Sequence, residues 1–391
     1  MESFYRPTWA EISLDALRHN LQAVRQTLPN GCKLMASVKA NAYGHGLVEI
    51  AGAAERFGVD YLGVAFLDEA LKLREAGIQS PILVLGFVPA EGLNAAREHD
   101  ITISLFREDI RQAAEMLPHE GKKLKAHIKL DSGMGRLGVV GFKEAMAFIE
   151  RSIGTPNLRV EGMFTHYAKA DEGDKSYTQQ QYERFRDVAE AVKQRGWPLQ
   201  IMHAANSAAG IDTPEWAGGM VRLGISMYGL YPSVEVNRQR VSLQPVLSLK
   251  SQLVHVKQTP SGWGISYGTR YVTVGEEWIG TLPIGYADGF SRMLTGKANV
   301  LLRGKRLPVL GTICMDQCMI ALDAVNRADN PVKTEEEVVI IGRQGDEMIT
   351  VEELADQLGT INYEVICMIA ARVPRVYIEG GSQVSVRNAL V

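Results

Sequence analysis

The chain has 391 residues, 46% hydrophobic and 22% charged, with a formal charge of −3. That length exceeds the roughly 250–300 residues at which single cores stop growing, so two domains are expected. So small a net charge gives no electrostatic ground for binding nucleic acid or an anionic membrane surface. The opening stretch MESFYRPTWAEISLDALRHN is mixed and amphipathic, unlike a secretion signal or a membrane span. Cys32, Cys314, Cys318 and Cys367 show no disulfide-framework spacing, which suits a reducing cytoplasm. Cys314 and Cys318 lack a second ligand pair at zinc spacing, so packed thiols are expected there, with no metal.

Leu14, Leu17, Leu21, Val24 and Leu28 recur at three- and four-residue steps and predict a helix, with Ser13 placed to cap it and Asp15 in its first turn. A short apolar run over 34–38 predicts a buried strand that Lys39 ends, and Gly44 and Gly46 predict a turn into a helix over 48–57. Strands are then expected over 61–66, 82–85, 101–104, 124–130, 160–164 and 199–203. Between them stand helical stretches over 68–76, 89–97, 108–116, 143–151 and 179–195. Strand and helix alternating about every thirty residues predict parallel βαβ units. Some 240 residues in about eight units suit a closed (β/α)8 barrel, of the TIM type, better than an open doubly wound sheet.

Beyond Tyr231-Pro232 the pattern changes. Strands are expected over 246–258, 278–283, 298–302, 307–313, 318–322 and 338–341, with one helix carrying Thr350 and Glu353 at capping-box spacing and Gly359 after its last turn. The expected organisation is therefore an α/β chain: a barrel over 1–240, then a mostly antiparallel β domain over 241–391.

Lys39 at the exit of a buried strand costs free energy unless it is paired, functional or modified. A partly desolvated lysine can act as nucleophile or base near neutral pH, whereas one that snorkels into solvent does nothing. Arg136, His166, Asn206 and Ser207 also follow strands, where barrel enzymes keep their reactive groups. Ser207 in HAANSAA and Gly224 in VRLGISMYG offer a hydroxyl and a backbone amide at the loops where barrels often bind phosphate. A lysine able to form a Schiff base, with a phosphate cradle on the same rim, suggests pyridoxal phosphate.

The segments SVKANAYGHG, HIKLDSGMGRLG, FTHYA, MHAANSA, VRLGISMYG, SYG at 266–268, LPIGYADG, CMDQ and INYEV together resemble the alanine racemases, pyridoxal-phosphate enzymes of fold type III. The resemblance spans nearly the whole chain. Related pyridoxal-phosphate carriers share the lysine-bearing barrel but lack the tyrosine and CMDQ segments.

The resemblance implies that Lys39 holds the cofactor and is one of two catalytic bases, serving the D side, while Tyr267 serves the L side. A base on each face of a planar carbanion suffices for racemisation. A tyrosine, with an ordinary pKa of about 10, must be shifted down or bonded to a cation to act so. It further implies that Arg222 faces the pyridine nitrogen, His203 orients that arginine, and His166 packs against the ring. Tyr43, Ser207, Gly224, Ile225 and Tyr363 fall on phosphate-contacting positions. Arg136 matches the arginine that meets the substrate carboxylate and the Tyr267 phenol, and Met315, beside Asp316, matches the residue whose backbone meets that carboxylate. Tyr286, Arg292 and Asp171 resemble residues of the channel mouth.

Lys129 shares strand parity with His127 and Asp131, which turns it toward the polar barrel interior near Arg136. In the family this lysine can be carbamylated; a plain lysine paired with Asp131 is the alternative. The resemblance implies a cytoplasmic homodimer with shared active sites that interconverts L- and D-alanine and supplies D-alanine for peptidoglycan. The alternatives are a broader racemase for serine and alanine, since one hydroxyl gives a pocket modest discrimination, and a non-catalytic cofactor carrier. A decarboxylase of the same fold would be expected to present a cysteine-and-acid pair, which Cys314 and Asp316 mimic while the surrounding motifs do not.

Overall fold

Eight strands form the barrel that the βαβ alternation leads one to expect: Lys33–Ser37, Tyr61–Val64, Ile82–Val84, Ile101–Leu105, Leu124–Asp131, Leu158–Phe164, Ile201–His203 and Met220–Leu223, with the two-residue strand Val139–Val140 added in parallel beside Leu124–Asp131. The last of the eight pairs with the first, and each of the others with the next, up to Leu158–Phe164 with Ile201–His203. Between Ile201–His203 and Met220–Leu223 the barrel closes through single bonds, Gly219 N to the Met202 carbonyl (2.7 Å) and Arg222 N to the Ala205 carbonyl (3.1 Å). The architecture is a nearly closed (β/α)8 barrel, accompanied by a mostly antiparallel sheet. The computed structural model describes residues 4–390.

Contacts divide the chain into two compact units. Among the described residues, the barrel unit comprises 16–42 and 47–244, and the other comprises 4–15, Tyr43–Gly46 and 245–390. Inside the barrel, Met35, Tyr61, Leu83, Phe164, Ile201 and Met220 pack together, one inward side chain from each of six strands. The outward residues of Leu124–Asp131, namely Ala126, Ile128 and Leu130, are buried as well. Strands covered on both faces therefore read as continuous apolar runs. Leu17, Leu21 and Val24 give helix Leu14–Thr27 its buried stripe. The helix expected over 179–195 starts earlier, as Ser176–Gln194.

In the second unit the strand order is His255–Thr259, Glu277–Leu282, Cys318–Ala321, Lys305–Leu310, Asn299–Leu302, Glu337–Gln344, Leu247–Gln252, Thr8–Ser13, Arg375–Glu379 and Ser382–Arg387. Thr8–Ser13 and Arg375–Glu379 run parallel, while the neighbouring pairs run antiparallel. The stretch 246–258, expected as one strand, is two. Leu247–Gln252 pairs with Glu337–Gln344, and His255–Thr259 with Glu277–Leu282, so the chain changes partner at Leu253-Val254. Of the capping box that the spacing implies, the Thr350 half forms, with Glu353 N donating to Thr350 Oγ1 (3.1 Å) and Gly359 left-handed at φ 72°, while the Glu353 carboxylate turns to Arg306 (2.7 Å).

The turn after Lys39 departs most from ordinary geometry. Ala40, Asn41, Ala42 and Tyr43 all have φ of 52–54°, a left-handed turn made without glycine. Such a conformation costs about 1–2 kcal/mol per residue. Its anchors are side chains: Glu69 accepts from Ala40 N (2.7 Å) and Ala65 N (2.7 Å), and Asn41 Oδ1 accepts from Leu47 N (2.9 Å). Gly44 continues it at φ 85°, where a Cβ would stand 2.3 Å from the Ile366 carbonyl oxygen, so only glycine fits.

Candidate active site

The carboxyl ends of the barrel strands gather cations. Lys39 follows Lys33–Ser37, Arg136 follows Leu124–Asp131, Lys129 points inward from that same strand, and Arg222 lies in Met220–Leu223. Arg222 is 4% exposed and is held by neutral acceptors alone. Nη1 donates to His203 Nδ1 (2.8 Å), and Nη2 faces the carbonyls of Thr165 (2.7 Å) and Ala204 (2.8 Å) and His166 Nδ1 (3.1 Å). A guanidinium has five N–H donors. Those on Nε and the second on Nη1 meet no acceptor among the described residues. Burial, with Arg136 adding repulsion, lowers the Arg222 pKa to about 10, so it stays cationic at neutral pH.

Because an arginine only donates, both imidazole nitrogens that face it must accept. Burial first, then the Arg222 charge, holds His203 and His166 well below the ordinary histidine value, so both are neutral. The His203 ring stacks on Phe164, 4.9 Å between centroids.

Lys129 is 5% exposed, and its ammonium lies 4.7 Å above the Phe164 ring. Burial, then the charges of Arg222, Arg136 and Lys39, lowers its pKa to about 7. The alternative pairing with Asp131 does not form. Asp131 Oδ1 accepts instead from the amides of Gly133 (2.9 Å), Met134 (2.9 Å) and Gly135 (3.1 Å), and so shapes the loop that presents Arg136.

Ser207 opens the short helix Ser207–Asp212, and its Oγ accepts from Gly224 N (2.8 Å), tying two loops of the rim together. The Gly224 amide is thus engaged; the Ser207 hydroxyl proton and the Ile225 amide, which opens the next helical turn, are the donors left there. Asn206 caps the helix, its Oδ1 accepting from Ala209 N (3.1 Å). Asp171 lies beyond the strand Leu158–Phe164, its carbonyl accepting from Ser233 Oγ.

The remaining candidates lie in the other unit. Tyr43 and Tyr363 rings pack 6.3 Å apart. Tyr267, 74% exposed, stands between Ser266 at φ 65° and Gly268 at φ 71°. Its carbonyl accepts from Thr312 Oγ1 (2.8 Å). Cys314, two residues after Thr312, lies with its sulfur 3.3 Å from Ser266 Oγ, so Tyr267 and Met315 belong to one loop cluster. Met315 is 52% exposed, and its carbonyl accepts from Ala287 N (3.0 Å). Next to it, Asp316 pairs with Arg372, which also holds the buried Asp288 (2.7 Å). Arg292 is exposed.

The family described as "Alanine racemase, N-terminal domain" matches residues 12–232, and "Alanine racemase, C-terminal domain" matches 246–377. The chain belongs to the alanine racemase family. Within that family, the alanine racemase of Halalkalibacterium halodurans is 46% identical, with all of both chains covered. Among solved structures, alanine racemase from Bacillus anthracis with bound L-Ala-P aligns at a TM-score of 0.93 and 44% identity, covering 100% of this chain and 99% of that one. The alanine racemase of Clostridium difficile aligns at 0.92 and 42% identity over all of both chains. As a member of the alanine racemase family the chain is an amino-acid isomerase.

His127 is the residue of this site to which the sequence assigned no role, although its shared parity with Lys129 was a usable signal. Glu69, which anchors the turn after Lys39, carried no signal at all, because it lies on another element.

Proposed function

We propose that this protein racemises alanine with bound pyridoxal phosphate, using Lys39 and Tyr267 as its two bases. The observation that carries the reading is Arg222: a buried guanidinium with unanswered N–H groups, among Arg136, Lys129 and Lys39, which asks for an acceptor and an anion. A pyridine nitrogen, a phosphate and a substrate carboxylate meet those demands, so the residues fit the cofactor. Lys39 would hold it through Nζ, Arg222 and His166 would meet the ring, and Ser207, Ile225, Tyr43 and Tyr363 would serve the phosphate, with the Gly224 amide fixing the Ser207 oxygen so that its proton is free to donate. When bound, pyridoxal phosphate supplies an electron sink for the charge left as the α-proton departs.

Lys39 Nζ takes or returns that proton on the D side, and Tyr267 Oη does so on the L side. Arg136 and the Met315 backbone hold the substrate carboxylate, and a cation beside Tyr267 favours its phenolate. Arg222 would donate to the ring nitrogen without surrendering a proton, and so would leave a moderate sink that disfavours transamination.

Tyr267, Met315, Tyr286, Met293 and Ile361 are all large apolar groups exposed on one unit of the chain. Exposed apolar groups of this kind support a homodimer with shared sites, in which a second copy would cover them and bury the base. No helix among the described residues is long and apolar enough to cross a membrane. The proposed setting is the cytoplasm, and the proposed product D-alanine for peptidoglycan.

The test uses protein loaded with pyridoxal phosphate and separate L-amino acids in D₂O, with chiral chromatography and mass spectrometry. Deuterated D-alanine as the main product, without CO₂, is expected. Bound cofactor with no exchange on any amino acid would overturn the reading, and D-serine at an equal rate would broaden it.

Lys129 is proposed as a carbamate. The neutral amine adds to CO₂ and loses a proton, giving an anion that turns a cation-repelling site into a holder for Arg136. With a pKa near 7, against an ordinary value near 10.5, the amine is largely neutral at pH 8. ¹³C NMR with labelled bicarbonate should therefore show a carbamate carbon that grows between pH 6 and 8. Its persistence in Lys129→Ala would refute the assignment.

A further inference from the structure

We propose that His127 is a positioning residue: by accepting a hydrogen bond from His203 it fixes which nitrogen of His203 is left to hold Arg222. His127 Nδ1 lies 3.0 Å from His203 Nε2, and His203 Nδ1 lies 2.8 Å from Arg222 Nη1. Both histidines are fully buried. The direction of this string follows from its one unambiguous member. Arg222 can only donate, so His203 Nδ1 accepts. A neutral His203 then carries its proton on Nε2, which donates to His127 Nδ1. His127 in turn carries its own proton on Nε2, and that buried atom meets no partner among the described residues.

Neither ring can escape this assignment by charging. Burial, then the Arg222 charge, lowers His127 to about 3, and the same causes keep His203 neutral. The string is therefore not a route for protons. It ends in a buried N–H and serves to make one tautomer of His203 cheaper than the other. Without an acceptor at His127, His203 could turn its proton toward Arg222, where two donors would collide and the guanidinium would lose its bond.

The fold makes room for this residue. Pairing between Leu124–Asp131 and Leu158–Phe164 slips between Ala126 and His127, so that Ala126 faces Val160 while His127 faces Gly162. The residue left over is Glu161 of Leu158–Phe164, so His127 keeps the alternation of its own strand while a glycine comes to stand opposite it; such irregularities gather beside active sites. At Gly162 a Cβ would come within 3.1 Å of the His127 ring and 2.3 Å of the Ile201 carbonyl oxygen. Register shift and glycine together seat an imidazole that pays for its place with an unpaired N–H, a feature that packing alone would have filled with an apolar side chain.

The consequence for the cofactor rests on the reading above, but the tautomers do not. ¹⁵N NMR of the labelled protein, with and without pyridoxal phosphate, assigns the protonated nitrogen of each ring. Both His203 and His127 are expected as neutral, Nε2-protonated rings between pH 5 and 9. A proton on His127 Nδ1, or titration of either ring in that range, would overturn the proposal without touching the racemase reading. In the loaded enzyme, His127→Leu is expected to give a mixed or reversed His203 tautomer, a shifted cofactor absorption band and a kcat lowered about tenfold at nearly unchanged KM. His127→Asn, whose amide oxygen sits near the place of Nδ1, is expected to restore all three. A leucine variant with the parental His203 tautomer and absorption band would show that His127 merely fills space.

Discussion

Tyr267→Phe is expected to keep its cofactor and its stability while losing racemisation by roughly 10²–10⁴-fold, the range that one general base contributes. The Tyr267 hydroxyl makes no hydrogen bond among the described residues, and the side chain is largely exposed, so its loss leaves no buried group unpaired. The loop that presents it is held through backbone and neighbours, by Thr312 on the Tyr267 carbonyl and by Ser266 Oγ on the Thr312 carbonyl. Phenylalanine keeps every one of those contacts. Because Lys39 remains, D-alanine should still exchange its α-proton with D₂O, whereas L-alanine should not. Steady-state rates in both directions and α-deuteration of each enantiomer check this. Parental rates both ways would mean that another group is the second base.

The second large effect is expected at Arg222→Lys. Lysine keeps the charge but not the planar fork that reaches His203, Thr165, Ala204 and His166 at once. A hydrogen bond from a charged group contributes about 1.5–3 kcal/mol, so losing two or three should lower Tm by several degrees. Burial would also press the new ammonium toward its neutral form, so that even the charge proposed to face the ring nitrogen would be weakened. The expected outcome is a cofactor held at least tenfold more weakly and kcat down about 10²-fold. Equilibrium dialysis with pyridoxal phosphate and initial rates at saturating cofactor separate the two losses. A variant that matched the parent in both would remove Arg222 from the ring nitrogen.

Much of the barrel could be read directly, because a parallel strand buried on both faces and an amphipathic helix leave local signatures of period and length. The glycines at 44 and 46 marked a turn, yet nothing marked the left-handed course of Ala40–Tyr43. Alanine and tyrosine do not favour it; Glu69, nearly thirty residues away, and the Asn41 side chain on Leu47 N hold it. Likewise, Asp131 looked like a partner for Lys129 by spacing, but three amides of its own loop lie within reach and win the carboxylate.

Sequence by itself determined the βαβ alternation, the change to β structure after the barrel, the Thr350 cap and the motifs that carry the family. Each rests on neighbours within a few residues, or on side-chain identities that no packing can change. Only the tertiary structure decided that Thr8–Ser13 joins the second sheet, that the run over 246–258 divides, and that His127, His203 and Arg222 form one string. These depend on which distant strands pair and in what register, and a shift of one residue at Ala126-His127 sets Gly162, and not Glu161, opposite the imidazole. Register is set by the summed packing of both partners, which a single strand read alone does not contain.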